Sequence, residues 1–178
     1  MPRPQFWVIK ASLESVWKFH WNDYFERDDD PLEWGSDCIG SKTSKKLLRE
    51  DIQVNDIALC YQVDDKAIWA LSQFESIEKA NDKEDFALCH HSKAFQLTKP
   101  LYIDELRNNR CDPESFQQGG YGHGTIGPIS QGEFLGIIQT IRDLLPDQWD
   151  ELHEWLLHAG IERIGMKGYL SALLEADV

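Results

Sequence analysis

The chain has 178 residues, of which 42% are hydrophobic and 28% charged, and its 18 basic and 31 acidic side chains give a formal net charge of −13. That composition excludes a disordered chain and fits one compact domain over 1–178, with 147–178 as a helical C-terminal extension. The charge opposes simple polynucleotide binding, which depends mostly on phosphate neutralisation, so any nucleic-acid contact must pass through a local basic patch.

No apolar run approaches the ~20 residues of a membrane helix, and the N-terminus MPRPQFWVIK lacks the apolar segment and cleavage site of a signal peptide. A cytoplasmic protein without a membrane partner is expected. Cys38, Cys60, Cys89 and Cys111 form no C-x-x-C pair, which argues against a zinc knuckle or a secreted disulfide framework. Reduced structural thiols are predicted instead.

Phe6 to Lys10 reads as a β-rich strand, and Ser12 opens a stretch in which Leu13, Val16 and Phe19 share one face of a short helix. Asp28-Asp29-Asp30-Pro31 breaks what precedes it, and a loop carrying Trp34 and Gly35 follows. A basic helical turn comes next, with Leu47 and Leu48 inward. NDIALCYQV, a turn at Asp64-Asp65-Lys66, and AIWALSQFESI read as a β-hairpin or meander. FALCHHSKAFQLT gives another long strand or pair of strands, and Pro100 to Arg110 a strand followed by a short helix. Gly119 to Gly124 is glycine-rich but follows no Walker or dinucleotide fingerprint, so it reads as turns or a lid. Ser130 to Glu133 is a capping box for a helix with Phe134, Ile137, Ile138, Ile141 and Leu145 inward. Asp147 is expected to cap a second helix bearing Trp149, Leu152, Trp155 and Leu156, and a last helix is expected over 169–176. The fold class is α+β, with a curved antiparallel or mixed sheet or small barrel flanked by helices.

The order FWVIKAS, EWGS, VNDIALCYQ, AIWALSQFESI and GTIGPISQGEF resembles the EVE and YTH modified-base readers of the PUA-like superfamily. In those families a flipped base sits on a tryptophan, so the resemblance implies that Trp34, with Gly35 and Ser36, floors a base pocket. It also implies polar contacts from Lys10 and Ser12 and a tyrosine at Tyr61. Asn55-Asp56 stands where EVE proteins carry Gly-Asp. Base stacking on such a ring is worth about 1–3 kcal/mol.

Each of these residues also has a plain structural reading. Ser12 serves equally as a helix cap, Lys10 as a side chain snorkelling from a sheet edge, Tyr61 as one face of a strand and Trp34 as core. Trp7, Trp17, Trp21, Trp149 and Trp155 sit in apolar patterns and read as packing, and Trp69 as packing a helix. Lys42, Lys45, Lys46 and Arg49 fall within eight residues free of acids. They form either a solvated helix face or the phosphate contact.

Cys89-His90-His91 suits zinc by residue type, but neighbours in a strand point to opposite faces, so no metal is expected. His123 has only its loop position to suggest a pocket contact. No nucleophile motif is present, and no cofactor is expected.

The leading reading is a binding module for modified DNA or RNA, single-stranded or with the base flipped out, and not an enzyme. Two alternatives stand beside it: an ASCH-like amidohydrolase acting on a modified nucleoside, using residue types such as Lys10, Tyr61 and Glu75, and an acidic protein-interaction domain.

Overall fold

The computed structural model describes residues 4–14, 20–26, 32–35, 46–48, 50–79, 87–91, 94–116 and 126–161, with backbone alone at 32–35, 78–79 and 87–91. Its centre is a pair of strands buried on both faces. In β1 (Phe6–Ala11) every residue is buried, and the same holds for β3 (Ile57–Gln62) beside it. Strands covered on both faces read as continuous apolar runs rather than as alternation, which is why FWVIKA and IALCYQ lack a polar face.

β1 and β3 run parallel, with Phe6 opposite Ile57 and Lys10 opposite Tyr61. A parallel pair needs a long crossover. The segment from Ser12 to Asp56 supplies it, and carries α1 (Trp21–Phe25) and β2 (Leu32–Gly35) on the way. β4 (Ala67–Gln73) returns antiparallel to β3, and β7 (Phe95–Tyr102) pairs antiparallel with β4. On the other side β8 (Ile126–Ile129) pairs antiparallel with β1. The resulting five-stranded sheet has the order β7-β4-β3-β1-β8 and is mixed and open. The expected α+β architecture, a mixed sheet flanked by helices and closed by a C-terminal helix, is what the chain forms.

Two cores lie on the two faces of this sheet. Phe6, Val8, Ile57, Leu59 and Tyr61 pack against α3 (Gln131–Leu144) and α4 (Trp149–His158), through Phe134, Ile137, Ile138, Ile141, Leu152 and Leu156. Trp7, Ile9, Ala11, Ala58 and Cys60 point the other way, onto Trp21 and Tyr24 of α1 and onto Leu48 and Ile52. Burying a Leu- or Phe-sized side chain is worth about 1.5–3 kcal/mol. Trp7, Trp21 and Trp149 are buried packing residues, as their patterns suggest.

A second sheet, order β2-β6-β5, contains β5 (Ser76–Lys79) and β6 (Ala87–His91). Trp34 stands opposite Cys89, and Cys89 opposite Ile77, whose side chain packs on the second core. The loop expected to carry Trp34 and Gly35 is therefore a strand. Pairing with a partner more than fifty residues away overrides the local sequence preference, as is usual for short strands.

Before β3, the buried carboxylate of Asp56 accepts the Gln5 N–H at 2.8 Å, the Gln53 N–H at 2.9 Å and the Trp7 indole N–H at 2.9 Å. The Ser130 capping box forms as its spacing predicts: Glu133 N–H donates to Ser130 Oγ at 3.2 Å and Ser130 N–H to Glu133 Oε2 at 2.7 Å. Likewise β7 runs into α2 (Ile103–Asn108), the strand and short helix expected there.

At the next junction the expectation fails. A single 3-10 turn, Pro146–Gln148, precedes α4, and the cap position is Gln148 without a side-chain cap bond. Its carboxamide serves β7 instead, accepting from Thr98 N–H at 2.8 Å and donating to Gln96 O at 3.3 Å. The helix expected over 169–176, the glycine-rich run at 119–124, and positions 15–19 of the helix expected after Ser12 lie outside the described residues. None of the helices described is long and apolar enough to cross a membrane.

Candidate functional site

The polar groups collect where β1 and β3 end side by side. Because the two strands are parallel and in register, their carboxyl ends lie at the same rim, and the chain leaves both in turns. Lys10 is the last even-numbered residue of β1, so alternation puts it on the face of Phe6 and Val8. Tyr61, its partner in register, belongs to the core on that same face.

Lys10 is only 9% exposed, and burial pulls its amine down to about 8. Tyr61 packs edge-on to Phe116, with ring centroids 4.9 Å apart. Burial raises its phenol above the ordinary value, partly offset by the positive charge of Arg107.

Ser12 sits in the turn after β1. Its hydroxyl donates to Asp64 Oδ1 at 3.2 Å and accepts the Glu14 N–H at 3.1 Å. Asp64 also accepts the Leu13 N–H at 2.8 Å and the Gln62 carboxamide at 2.7 Å. Burial would raise the Asp64 carboxyl, but the donors Leu13, Gln62 and Ser12 outweigh it and hold the group below its usual value. One carboxylate thus ties the turn after β1 to the turn after β3.

Asp65, next to it, binds His20 Nε2 at 2.7 Å and the Trp69 indole N–H at 2.9 Å, and the His20 and Trp69 rings meet edge to face. His20 Nδ1 accepts the Asn22 N–H at 3.1 Å and so caps α1. With Nδ1 an acceptor, the ring proton sits on Nε2 and points at Asp65. Both nitrogens are engaged, which leaves this histidine no lone pair for a substrate proton. Trp69 packs at the start of a helix, as its pattern suggests.

Gln62 accepts the Trp21 N–H at 3.2 Å, and the Trp21 indole donates to Tyr61 O at 3.1 Å. Sequence reading missed His20, Gln62, Asp64 and Asp65 as one constellation. The available signals were a glutamine closing an apolar strand and an aspartate pair in the turn after it.

The other candidates are distributed differently. Trp34 and Gly35 lie on β2, opposite Cys89 and Leu88, in the sheet that packs Ile77 on the second core. Tyr61 belongs to the first core, in the five-stranded sheet. The Trp34 side chain, Ser36 and His123 lie outside what is described, as do the side chains of Cys89, His90 and His91. Lys46 is exposed, 3.8 Å from Glu50, while Lys42, Lys45 and Arg49 fall outside the described residues.

Glu75 follows β4 at the far end of the sheet. Gln73 pairs with Ile57, at the start of β3, whereas Tyr61 near its end pairs with Ile68. Lys10, Tyr61 and Glu75 are therefore not gathered into one catalytic group. Among the described residues no cluster of three or more His, Cys, Asp or Glu side chains is placed to hold a metal ion.

Elsewhere, a cavity of about 370 Å³ opens between the segment after α2 and α3, lined by Arg110, Cys111, Glu133, Gly136 and Gln139 among others. It shares no residue with the rim of β1 and β3.

No protein-family model matches the chain, and no curated protein matches it. Solved structures do. A hypothetical protein from Leishmania major aligns with a TM-score of 0.61 at 14% identity, covering 80% of this chain and 97% of that one. The DUF55 domain of human thymocyte nuclear protein 1 aligns at 0.55 and 14% identity, covering 74% and 95%. The human THYN1 protein, in complex with 5-methylcytosine containing DNA, aligns at 0.52 and 15% identity, covering 75% and 95%. At these identities the likeness shows the fold: the chain has the PUA-like arrangement of the DUF55 domain.

Proposed function

We propose that this chain is a nucleic-acid-binding module that takes a modified base, methylated in the simplest case, into an aromatic pocket at the rim of β1 and β3. The observation that carries the reading is the fold it has in common with the human THYN1 protein in complex with 5-methylcytosine containing DNA. Trp34 is the stacking platform, with Gly35 and Ser36 beside it, and Lys10, Ser12 and Tyr61 supply the polar and aromatic surround. A flipped or single-stranded base lowers the cost of extrusion, so single-stranded or opened DNA or RNA is the favoured partner. A methyl group buried in such a pocket adds on the order of 0.8 kcal/mol, a few-fold preference. Lys42, Lys45, Lys46 and Arg49 meet the phosphates, which the net charge of −13 otherwise repels. A cytoplasmic location fits this reading.

One observation favours an ASCH-like amidohydrolase: Lys10 and Tyr61 are neighbours on one sheet face. Against it stand the distance of Glu75 from that pair and the full engagement of His20. Titration with matched methylated and unmodified oligonucleotides and nucleosides, followed by mass spectrometry of the recovered ligand, tests both. Preferential binding with intact recovery supports the reader. Conversion that is lost in Lys10→Met supports the hydrolase, and no binding of any ligand overturns both.

A further inference from the structure

We propose that Tyr102 is a second stacking position, taking the base next to the one that is read, on a strand of nucleic acid laid along the rim where β1 and β3 end. The inference rests on the reading of that rim as a base pocket and adds the surface that holds a neighbouring nucleotide.

Four large apolar side chains stand exposed among the described residues, and three of them, Leu13, Val63 and Tyr102, collect at one end of the five-stranded sheet. Val54 is at the other end, where Asn55 N–H donates to Phe74 O. Backbone bonds set the three in a row. Val63 N–H donates to Ala11 O at 2.9 Å, two residues before Leu13, and Lys66 N–H closes the turn on Val63 O at 3.2 Å. Ile103 N–H, next to Tyr102, then donates to Lys66 O at 3.0 Å. A lone exposed apolar side chain is ordinary, but these three are each 43–48% exposed and border the same rim.

The chemistry of the row points to a nucleic-acid strand as its occupant. Tyr102 pairs with Ala67, and because Leu101 and Ile68 face the first core, alternation turns Tyr102 to the face on which Trp69 packs. Trp69 is held there by its indole bond to Asp65 and by the His20 ring. The wall beside Tyr102 is thus fixed before a ligand arrives, so little beyond the phenol ring has to be ordered on stacking. Lys66, in the turn before β4, and Lys99, in β7, are exposed cations along the same stretch, and an aromatic ring among cations is the surface on which single strands stack. The carboxylates of Asp64 and Asp65 are already taken up by donors of this chain, from Ser12, Leu13, Gln62, His20 and Trp69. Since β4 lies between β3 and β7, about 10 Å separates the backbone at Tyr61 from that at the end of β7, which places Tyr102 at a neighbouring nucleotide rather than at the read base.

The test titrates the full chain, by fluorescence anisotropy, with a short single-stranded DNA carrying one 5-methylcytosine and with the same strand made abasic on one or the other side of it. Tyr102→Ala should weaken binding of the intact strand roughly five- to a hundredfold, and Tyr102→Phe should bind as wild type does. On the strand whose abasic residue removes the stacked base, Tyr102→Ala should cost little more. Photocrosslinking of the wild-type chain to a strand with 5-iodouracil beside the 5-methylcytosine should label the Tyr102 peptide, which decides the matter even if a variant fails to fold. Wild-type affinity in Tyr102→Ala, an equal loss on intact and abasic strands, or labelling of other peptides alone overturns the stacking position and leaves the base-pocket reading standing. Failure of the wild-type chain to bind any of the strands overturns both.

Discussion

Trp7 hands its indole N–H to Asp56 Oδ2 at 2.9 Å, so a side chain of β1 is bolted to the residue just before β3. The same carboxylate takes two backbone N–H groups, from Gln5 and Gln53. Removing it strands three donors in a buried place. Asp56→Ala should lower the unfolding free energy by about 3 kcal/mol, and Trp7→Phe, which removes one donor with its ring volume, by roughly half as much. Urea denaturation at pH 7 checks this, and an Asp56→Ala variant as stable as wild type would falsify the bolt.

Lys10 gives a pH dependence whose sign is fixed. Its amine is depressed to about 8 in the folded chain from 10.5, so between those values the unfolded chain holds the extra proton and stability rises with pH. The contribution is present above the unfolded value and lost as pH falls through about 8. Lys10→Met should therefore be more stable than wild type at pH 7, with the gap closing between pH 8 and 10.5. Thermal melts across that window read it directly. A gap that stays constant with pH would show that charge burial is not its cause.

For Trp34 the expectation concerns binding. Trp34→Ala should abolish base binding while the unfolding free energy moves by less than about 1 kcal/mol. A loss of several kcal/mol would place the ring in the core that Ile77 joins.

The basic run can be tested through salt. If Lys42, Lys45, Lys46 and Arg49 touch phosphates, neutralising Lys42 and Lys45 should flatten the slope of log affinity against log salt by about 1.4 for a single strand. An unchanged slope would leave the run as a solvated helix face, the role in which Lys46 already meets Glu50.

The strands at the middle of the fold were legible because burial on both faces writes itself as an unbroken apolar run, as in FWVIKA and IALCYQ. So was the start of α3, where Ser130 and Glu133 signal locally. Neither the parallel pairing of β1 with β3 nor the strand at Trp34 was legible, since both depend on partners far along the chain. The same distance hid the rim constellation: Ser12, His20, Gln62, Asp64 and Asp65 become neighbours only once two turns are brought together. Asp147 misled because the three-residue turn at Pro146 moved the cap position on to Gln148, whose side chain is drawn to β7.

That diversion of Gln148 bears on how the molecule avoids sticking to copies of itself. The outermost strands of the five-stranded sheet offer unpaired backbone groups, a template for intermolecular pairing. On β7 the Gln148 carboxamide accepts from Thr98 N–H and donates to Gln96 O, as the peptide unit of one more strand would. On β8, Pro128 has no N–H to offer, and its carbonyl accepts the Ser115 hydroxyl. Among the described residues each margin of the sheet thus carries a local device of this kind, so Gln148→Ala should raise the tendency to aggregate more than its small loss of buried contact would suggest.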